Sequence, residues 1–264
     1  MKRILLLSIA AITTTATAQT TPPKLHINPR WHECSFQLDA SLTQSAWHQF
    51  TEEAGLVTYF RPLSDARPMG RGKFEISLLQ WKTGIEDADA AWNDTFVHPD
   101  SVHYLFEGSG LEFPGLSARA GLGDKTDLGL YVTKNPNANY GFYGAQLQRA
   151  LLGGTSSNWA IAVRGSFMSL YGPEDLDFSA IGADVLASRT IRLNRWASVS
   201  PYAGLSSYIA RSHEKSTVVA LKDEVVPGSA STLGVVLGMR GVKLGAEYST
   251  AAVNSVSMKI GFGF

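Results

Sequence analysis

The chain closes on NSVSMKIGFGF, residues 254–264, in which Val256, Met258, Ile260, Phe262 and Phe264 alternate with Ser257, Lys259, Gly261 and Gly263. Successive side chains of a strand point to opposite faces, so this run has one wholly apolar face and one of small or charged residues. The same period of two recurs upstream. Phe74, Ile76 and Leu78 alternate with Glu75, Ser77 and Leu79, and Leu128, Leu130 and Val132 with Gly129, Tyr131 and Thr133. Trp159, Ile161, Val163 and Phe167 alternate with Ala160, Ala162, Arg164 and Ser166. Leu233, Val235, Leu237 and Met239 stand against Gly234, Gly238 and Arg240; Val242, Leu244, Ala246 and Tyr248 stand against Lys243, Gly245, Glu247 and Ser249. Such runs predict about ten strands, at roughly 72–83, 115–123, 126–134, 140–152, 157–171, 175–190, 195–211, 230–239, 241–250 and 254–264.

Strands with one apolar face and one face of Gly, Ser and isolated charges describe an all-β fold, a transmembrane antiparallel β-barrel. A soluble sandwich also alternates, burying one face and wetting the other. The barrel is favoured because the apolar face persists to the last residue. Moreover, Trp159, Tyr171, Tyr140 and Trp196 fall near strand ends, where an interfacial aromatic girdle belongs. Loop lengths test the count, since outer-membrane barrels have short periplasmic turns and long external loops. With the first strand running outward, the odd-numbered connections are external and include the longest, 84–114 and 212–229. The even ones, 124–125, 153–156, 191–194 and 240–241, are short. That parity implies an even number of strands; eight and twelve stay open, because 101–114 has room for another pair.

The first eighteen residues, MKRILLLSIAAITTTATA, combine Lys2 and Arg3, an apolar stretch from Ile4 to Ile12 and a small-residue cleavage site ending at Ala18. This pattern predicts a secretory signal peptide, the apolar stretch being half the roughly 20 residues a membrane helix needs. Of 264 residues, 23 are basic and 23 acidic. Removing Lys2 and Arg3 leaves 21 basic residues, so no basic field points to nucleic acid. Cys34 is the only cysteine, which excludes an intrachain disulfide. Residues 19–71 form a separate amino-terminal segment ahead of the barrel at 72–264. Within it Leu42, Ala46, Phe50 and Ala54 recur every four residues, predicting an amphipathic helix at about 41–56 with Ser41 or Thr43 as N-cap and Gly55 near its end. The segment is expected either to cap the periplasmic mouth or to plug the lumen, with Trp47 and Phe50 as its contact surface.

The last strand, ending in Phe262 and Phe264, resembles the signal that the barrel-assembly machinery reads on outer-membrane substrates. Four longer stretches are TQSAWHQFTEEAGLVTYFRPLSDARPMGRGKFEI, GLSARAGLG, WAIAVRGSFMSLYGPEDLDFSAIGADVLASRTI and SPYAGLSSYIA. They resemble a family of uncharacterised proteobacterial outer-membrane β-barrel proteins, over most of the chain after the signal. The resemblance implies architecture and an outer-membrane location, and no substrate. The chain departs from the family pattern at Asp65, where Pro is usual, and at Glu112-Phe113-Pro114.

With the apolar sets facing lipid, Glu75, Arg164, Asp184, Arg240, Lys243, Glu247 and Lys259 are assigned to the lumen. Charges in so narrow a space should pair. Closure of first strand on last suggests Glu75 with Lys259; Lys243 or Arg240 would then serve Glu247. The set reads either as a structural network or as a solute-selective lining. A hydrolase would need a nucleophile, a base and an orienting acid at the outer rim. Asp100, Ser101 and His103 share one loop, and Ser212 precedes His213-Glu214, but no strand-borne Ser-His pair accompanies either. No metal-ligand spacing or phosphate loop occurs, so neither cofactor nor metal is expected. Asp87 and Asp89 suit a solvated loop or contact with the cations that bridge lipopolysaccharide. The expectation is a monomeric outer-membrane barrel with lipids and lipopolysaccharide as its surroundings, most readily a narrow channel for small or amphiphilic molecules. A non-conducting structural or surface-interaction barrel and a lipid-modifying enzyme are the alternatives.

Overall fold

Ten strands pair edge to edge and close on themselves: β1 (Phe74–Thr83), β2 (Leu111–Gly121), β3 (Thr126–Lys134), β4 (Gly141–Leu152), β5 (Trp159–Tyr171), β6 (Leu176–Arg189), β7 (Ala197–Glu214), β8 (Glu224–Met239), β9 (Val242–Thr250) and β10 (Asn254–Gly263). The computed structural model describes residues 35–61, 63–86, 88–97, 111–134 and 138–263, the side chains of 97 and 111–114 excepted. Each strand is antiparallel to its sequence neighbours, and β10 pairs with β1 in the register Ile260↔Leu78 and Gly263↔Glu75. No edge is left along the closed wall, which a barrel in lipid requires because unpaired backbone groups there have no water to bond. Phe264 lies outside the described residues.

One rim carries the two longest connections, 84–110 and 215–223, and is called the loop rim. The other carries 122–125 and 240–241 and is called the turn rim. The alternation that marks the strands is a partition between the two sides of the wall. Ile76, Leu78, Leu130, Val132, Ile181, Val185, Leu233 and Ile260 are all exposed on the outside, while Glu75, Ser77, Gln146, Arg164, Asp184, Glu247 and Lys259 are buried within. Apolar rows this extensive have no place in water and match the hydrocarbon band of a bilayer. Aromatic residues finish the band at both rims. Tyr143, Tyr171 and Tyr248 lie toward the loop rim, Trp159 and Trp196 at the turn rim. Arg189 lies over the ring of Trp159 at 5.1 Å, a cation on an interfacial aromatic. Tyr140, assigned from sequence to the girdle, instead points inward and packs edge-on against Phe36 and Phe96 at 5.0 and 5.9 Å.

Two differences from the sequence reading share one cause. β7 runs on to Glu214 and β8 begins at Glu224, making a hairpin that projects beyond the rim, with Ser212 paired to Glu224. These residues carry no apolar alternation, because outside the bilayer the outward face is free to be polar and the period of two fades. β2 likewise starts at Leu111.

The helix α1 spans Gln44–Thr58, capped by Thr43, whose hydroxyl accepts from the Ala46 amide at 3.3 Å. It runs through Gly55 instead of ending there. A Cβ at Gly55 would come within 2.7 Å of the Tyr208 ring, so glycine serves here as the point of closest approach between helix and wall. A four-residue helix, α2 (Ala90–Asn93), lies in the longest connection, and Ser35–Phe36 forms a two-residue ladder with Phe96–Val97.

Candidate functional site: the occupied lumen

The amino-terminal segment lies inside the barrel. Its helix fills the loop-rim half, where Trp47, Phe50, Leu56 and Val57 are at most 1 % exposed. Aromatic rings form the seal. Phe50 stacks on Trp47 at 5.3 Å and meets Trp92 of α2 edge-on at 5.0 Å, while Phe36 meets Phe96 at 4.8 Å. Polar contacts on the wet side tie helix to loops: Trp92 Nε1 donates to Glu53 at 2.5 Å, Gln44 Nε2 to Glu224 at 2.5 Å, and His48 Nδ1 bonds Glu224 at 2.8 Å. On the buried side Thr51 and Ser212 share a hydrogen bond of 2.6 Å.

After the helix the chain descends toward the turn rim in extended form, fastened to the wall at almost every step. Tyr59 stacks on Tyr208 at 5.0 Å, and its hydroxyl donates to Asp184 at 3.0 Å. The Val57 carbonyl accepts from Trp81 Nε1 at 2.9 Å, and the Arg61 guanidinium lies over the Trp81 ring while donating to the Leu56 carbonyl. Lower down, the Ala66 amide donates to Ser188 at 3.1 Å and the Met69 amide to both oxygens of Asp127 at 3.1 Å. Leu63, fully buried, holds φ = 45°. That conformation costs a non-glycine residue roughly 1–2 kcal/mol and is sustained by the packing around it. At the exit the Gly70 carbonyl lies so close to Gly121 that a Cβ there would sit 1.9 Å from the oxygen. Backbone must pass backbone at that point, which only glycine permits.

The inner wall answers this chain with paired charges. Glu75 accepts from Lys243 Nζ at 2.6 Å and from Lys259 Nζ at 2.8 Å. Arg164 Nε donates to Asp184 at 3.1 Å, and Asp184 also receives the hydroxyls of Tyr59 and Ser206. Among the described residues Glu247 takes neither lysine nor arginine; it accepts from Tyr202 at 2.7 Å and Ser249 at 3.4 Å. The assignment of Arg240 to the lumen is corrected. It occupies the β8–β9 turn with φ = 42°, exposed, and its guanidinium lies 3.1 Å from the centre of the Trp196 ring. The turn breaks the strand's alternation one residue early, so the face predicted from Gly234 and Gly238 no longer applies.

A buried pair that sequence reasoning did not name completes the network. Arg119 Nη2 donates to Asp127 at 2.5 Å and to the Arg67 carbonyl at 3.2 Å. A signal for it was present. With Leu128, Leu130 and Val132 outward, Asp127 has to point inward, and the tight β2–β3 turn sets it diagonal to Arg119 in the ladder Gly121↔Asp127, Arg119↔Gly129. Below the descending chain a cavity of about 310 Å³ opens at the turn rim, lined among others by Asp65, Arg67, Glu75, Arg119, Ser200 and Lys243.

For chemistry the geometry offers less. Asp100, Ser101, His103, His98, Asp87, His26, His32 and Cys34 lie outside the described residues. His213 Nδ1 bonds Asp223 at 2.6 Å on the exterior, whereas Ser212 turns inward to Thr51, so strand alternation puts the two on opposite faces. Among the described residues no three of His, Cys, Asp and Glu converge as metal ligands would.

No protein-family model matches the chain, and no curated protein does. Among solved structures it is similar to outer-membrane proteins at low identity and with TM-scores under 0.5. An outer-membrane channel from Pseudomonas putida F1 is 11% identical, with a TM-score of 0.43 over 78% of this chain and 100% of that one. The β-domain of the Bordetella autotransporter BrkA is 13% identical, with a TM-score of 0.42 over 74% and 100%. The attachment invasion locus protein Ail of Yersinia pestis is 13% identical, with a TM-score of 0.30 over 74% and 99%.

Proposed function

We propose that the protein is an outer-membrane barrel held shut by its own amino-terminal segment, acting through the loop-rim surface instead of conducting through the lumen. The observation that carries this reading is the aromatic seal. Unseating the segment would expose Trp47, Phe50, Leu56, Val57, Phe60 and Leu63, each at most 3 % exposed in place. At about 2 kcal/mol per large apolar side chain, that is roughly 12 kcal/mol before any hydrogen bond is counted. The conformational freedom that a released segment would regain offsets part of this, so the seal rests on the burial and on the hydrogen bonds that fasten the chain to the wall together. A transport role requires an external source of work to move the segment. The outer-membrane location is supported by the apolar outer face and its two aromatic girdles, and the outward orientation of the loop rim by the rule that long connections face away from the periplasm. The belt's partner is then lipid, and the loop-rim face, with the projecting β7–β8 hairpin, is the surface available to other molecules.

Planar-bilayer recording of the purified full-length protein tests the seal. The expected trace is silent at all voltages below membrane breakdown. Reproducible unitary conductance steps would restore the channel reading.

A further inference from the structure

The charges around the turn-rim cavity do not cancel. Lys243 and Lys259 share the single carboxylate of Glu75, a trio with one net positive charge. Arg67 holds Asp65 through two bonds, at 3.0 and 3.1 Å, and Asp127, behind the cavity, is taken by Arg119. Those two pairs are neutral. Lys73, exposed on the rim, adds a second surplus charge, because no carboxylate among the described lining residues remains to meet it. Two buried donors are left open as well. Arg119 is 8 % exposed and Ser64 4 %, and both line the cavity, yet Arg119 Nε and the Ser64 hydroxyl have no partner among the described residues. Buried polar groups are nearly always hydrogen-bonded, so each of these calls for an acceptor, and Arg119 Nε can only donate.

We propose that this cavity binds a phosphate-type oxyanion, held by Lys73, Lys243, Arg119 and Ser64. A phosphate group carries about 1.5 to 2 negative charges at neutral pH and offers several strong acceptor oxygens, which meets the two surplus cations and the two open donors together. A carboxylate brings one charge and would leave a cation unmet. The cavity, about 310 Å³, is at the lower end of the roughly 300–1,000 Å³ of small-ligand sites and has room for a phosphate with water around it. Its place between wall and threaded chain limits screening by bulk water, so the surplus charge acts strongly on an anion inside it. Ser64 belongs to the threaded segment, whereas Lys73 adjoins β1, Arg119 lies on β2 and Lys243 on β9. The bound anion therefore ties segment to wall at the end opposite the aromatic seal. In the orientation proposed above, this rim faces the periplasm at the level of the inner leaflet's headgroups, where Trp159 and Trp196 lie. The same chemistry reaches it from two sources, a soluble phosphate or a lipid headgroup.

Calorimetric titration of inorganic phosphate into the full-length barrel, held in phosphatidylcholine nanodiscs at an ionic strength fixed with chloride, tests the site. The expected result is saturable binding of a single phosphate. Lys73→Gln combined with Lys243→Gln should weaken it about tenfold or more, the loss expected when charged hydrogen-bond donors are removed. Lys259 keeps Glu75 paired in that variant, so the heat-modifiable gel band should be unchanged. Ser64→Ala alters no charge and should still weaken binding several-fold, because it removes a buried donor. Absence of saturable binding overturns the site. So does weakening in the lysine variant with none in Ser64→Ala, which would mean that phosphate is drawn only to the general charge of the rim. Discs containing phosphatidylglycerol separate the sources: a weaker apparent phosphate affinity there supports occupation by a headgroup, and an unchanged one supports a soluble phosphate.

Discussion

Asp184→Leu should lower the stability of the folded barrel by about 3–5 kcal/mol, the cost of breaking a buried ion pair from one side. Arg164, 5 % exposed, would keep its charge in the lumen without the carboxylate it now faces at 3.1 Å. The Tyr59 hydroxyl would lose its acceptor in the same step, which loosens the descending chain from β6. The two losses can be told apart. Arg164→Met combined with Asp184→Leu removes the stranded charge, and replacing a buried pair by apolar groups of similar size is often neutral or better. The double variant should therefore recover most of the loss, whereas Tyr59→Phe alone should cost about 1.5–3 kcal/mol, the usual worth of a hydrogen bond to a charged group. The temperature at which the folded, fast-migrating band converts to the unfolded one on a gel reads all three. An unchanged conversion temperature for Asp184→Leu would mean that the lumen is wet enough there to solvate a lone guanidinium.

Phe50→Ala is expected to have an effect of comparable size by a different route. The ring lies within about 6 Å of four others in the manner of a packed core, namely Phe36 at 6.1 Å, Trp47 at 5.3 Å, Trp92 at 5.0 Å and Phe178 at 6.0 Å. Truncating a fully buried phenylalanine costs about 3–5 kcal/mol, part transfer and part cavity. Phe167→Ala, on the outer face of β5, removes the same ring from a place where lipid or detergent fills the gap, so its loss should be clearly smaller. Chemical denaturation of both variants in one detergent provides the comparison. Equal losses would show that Phe50 has no protein core around it.

The two variants also show which parts of this molecule could be read from its sequence. Strand alternation was legible because the bilayer enforces it: Val256, Met258, Ile260 and Phe262 must face lipid, and Ser257, Lys259 and Gly261 then have no choice. Partners across the seam were legible for the same reason, since closure sets β10 beside β1 and brings Lys259 to Glu75. Legibility stopped where the membrane stops. The extra turns of ladder at Ser212–Glu214 and Glu224–Val226 carry no pattern, and Arg240 left the lumen because a turn has no faces to alternate.

The depth of the helix was the largest quantity hidden. Its periodicity announces one apolar stripe and says nothing of what covers it, yet both sides of the helix find partners here. Phe50 meets rings from α2 and β6, and Gly55 meets Tyr208 of β7. Arg61, a charge in a segment that reads as linker, is buried and sits against Trp81, a contact between positions twenty apart in sequence that no local signal announces.

Everything proposed for this protein depends on the amino-terminal segment being inside the barrel, and a designed disulfide asks that question most directly. A Cβ placed on Gly245 of β9 would lie 3.4 Å from the Cβ of Leu63 in the descending chain, close to the roughly 3.5–4.5 Å that disulfides span. In a Cys34→Ser background, Leu63→Cys with Gly245→Cys should oxidise within the assembled protein and give a mobility shift on a denaturing gel that a reductant reverses. The same pair remaining reduced, with both thiols open to alkylation in the folded protein, would place the segment elsewhere and contradict the sealed lumen.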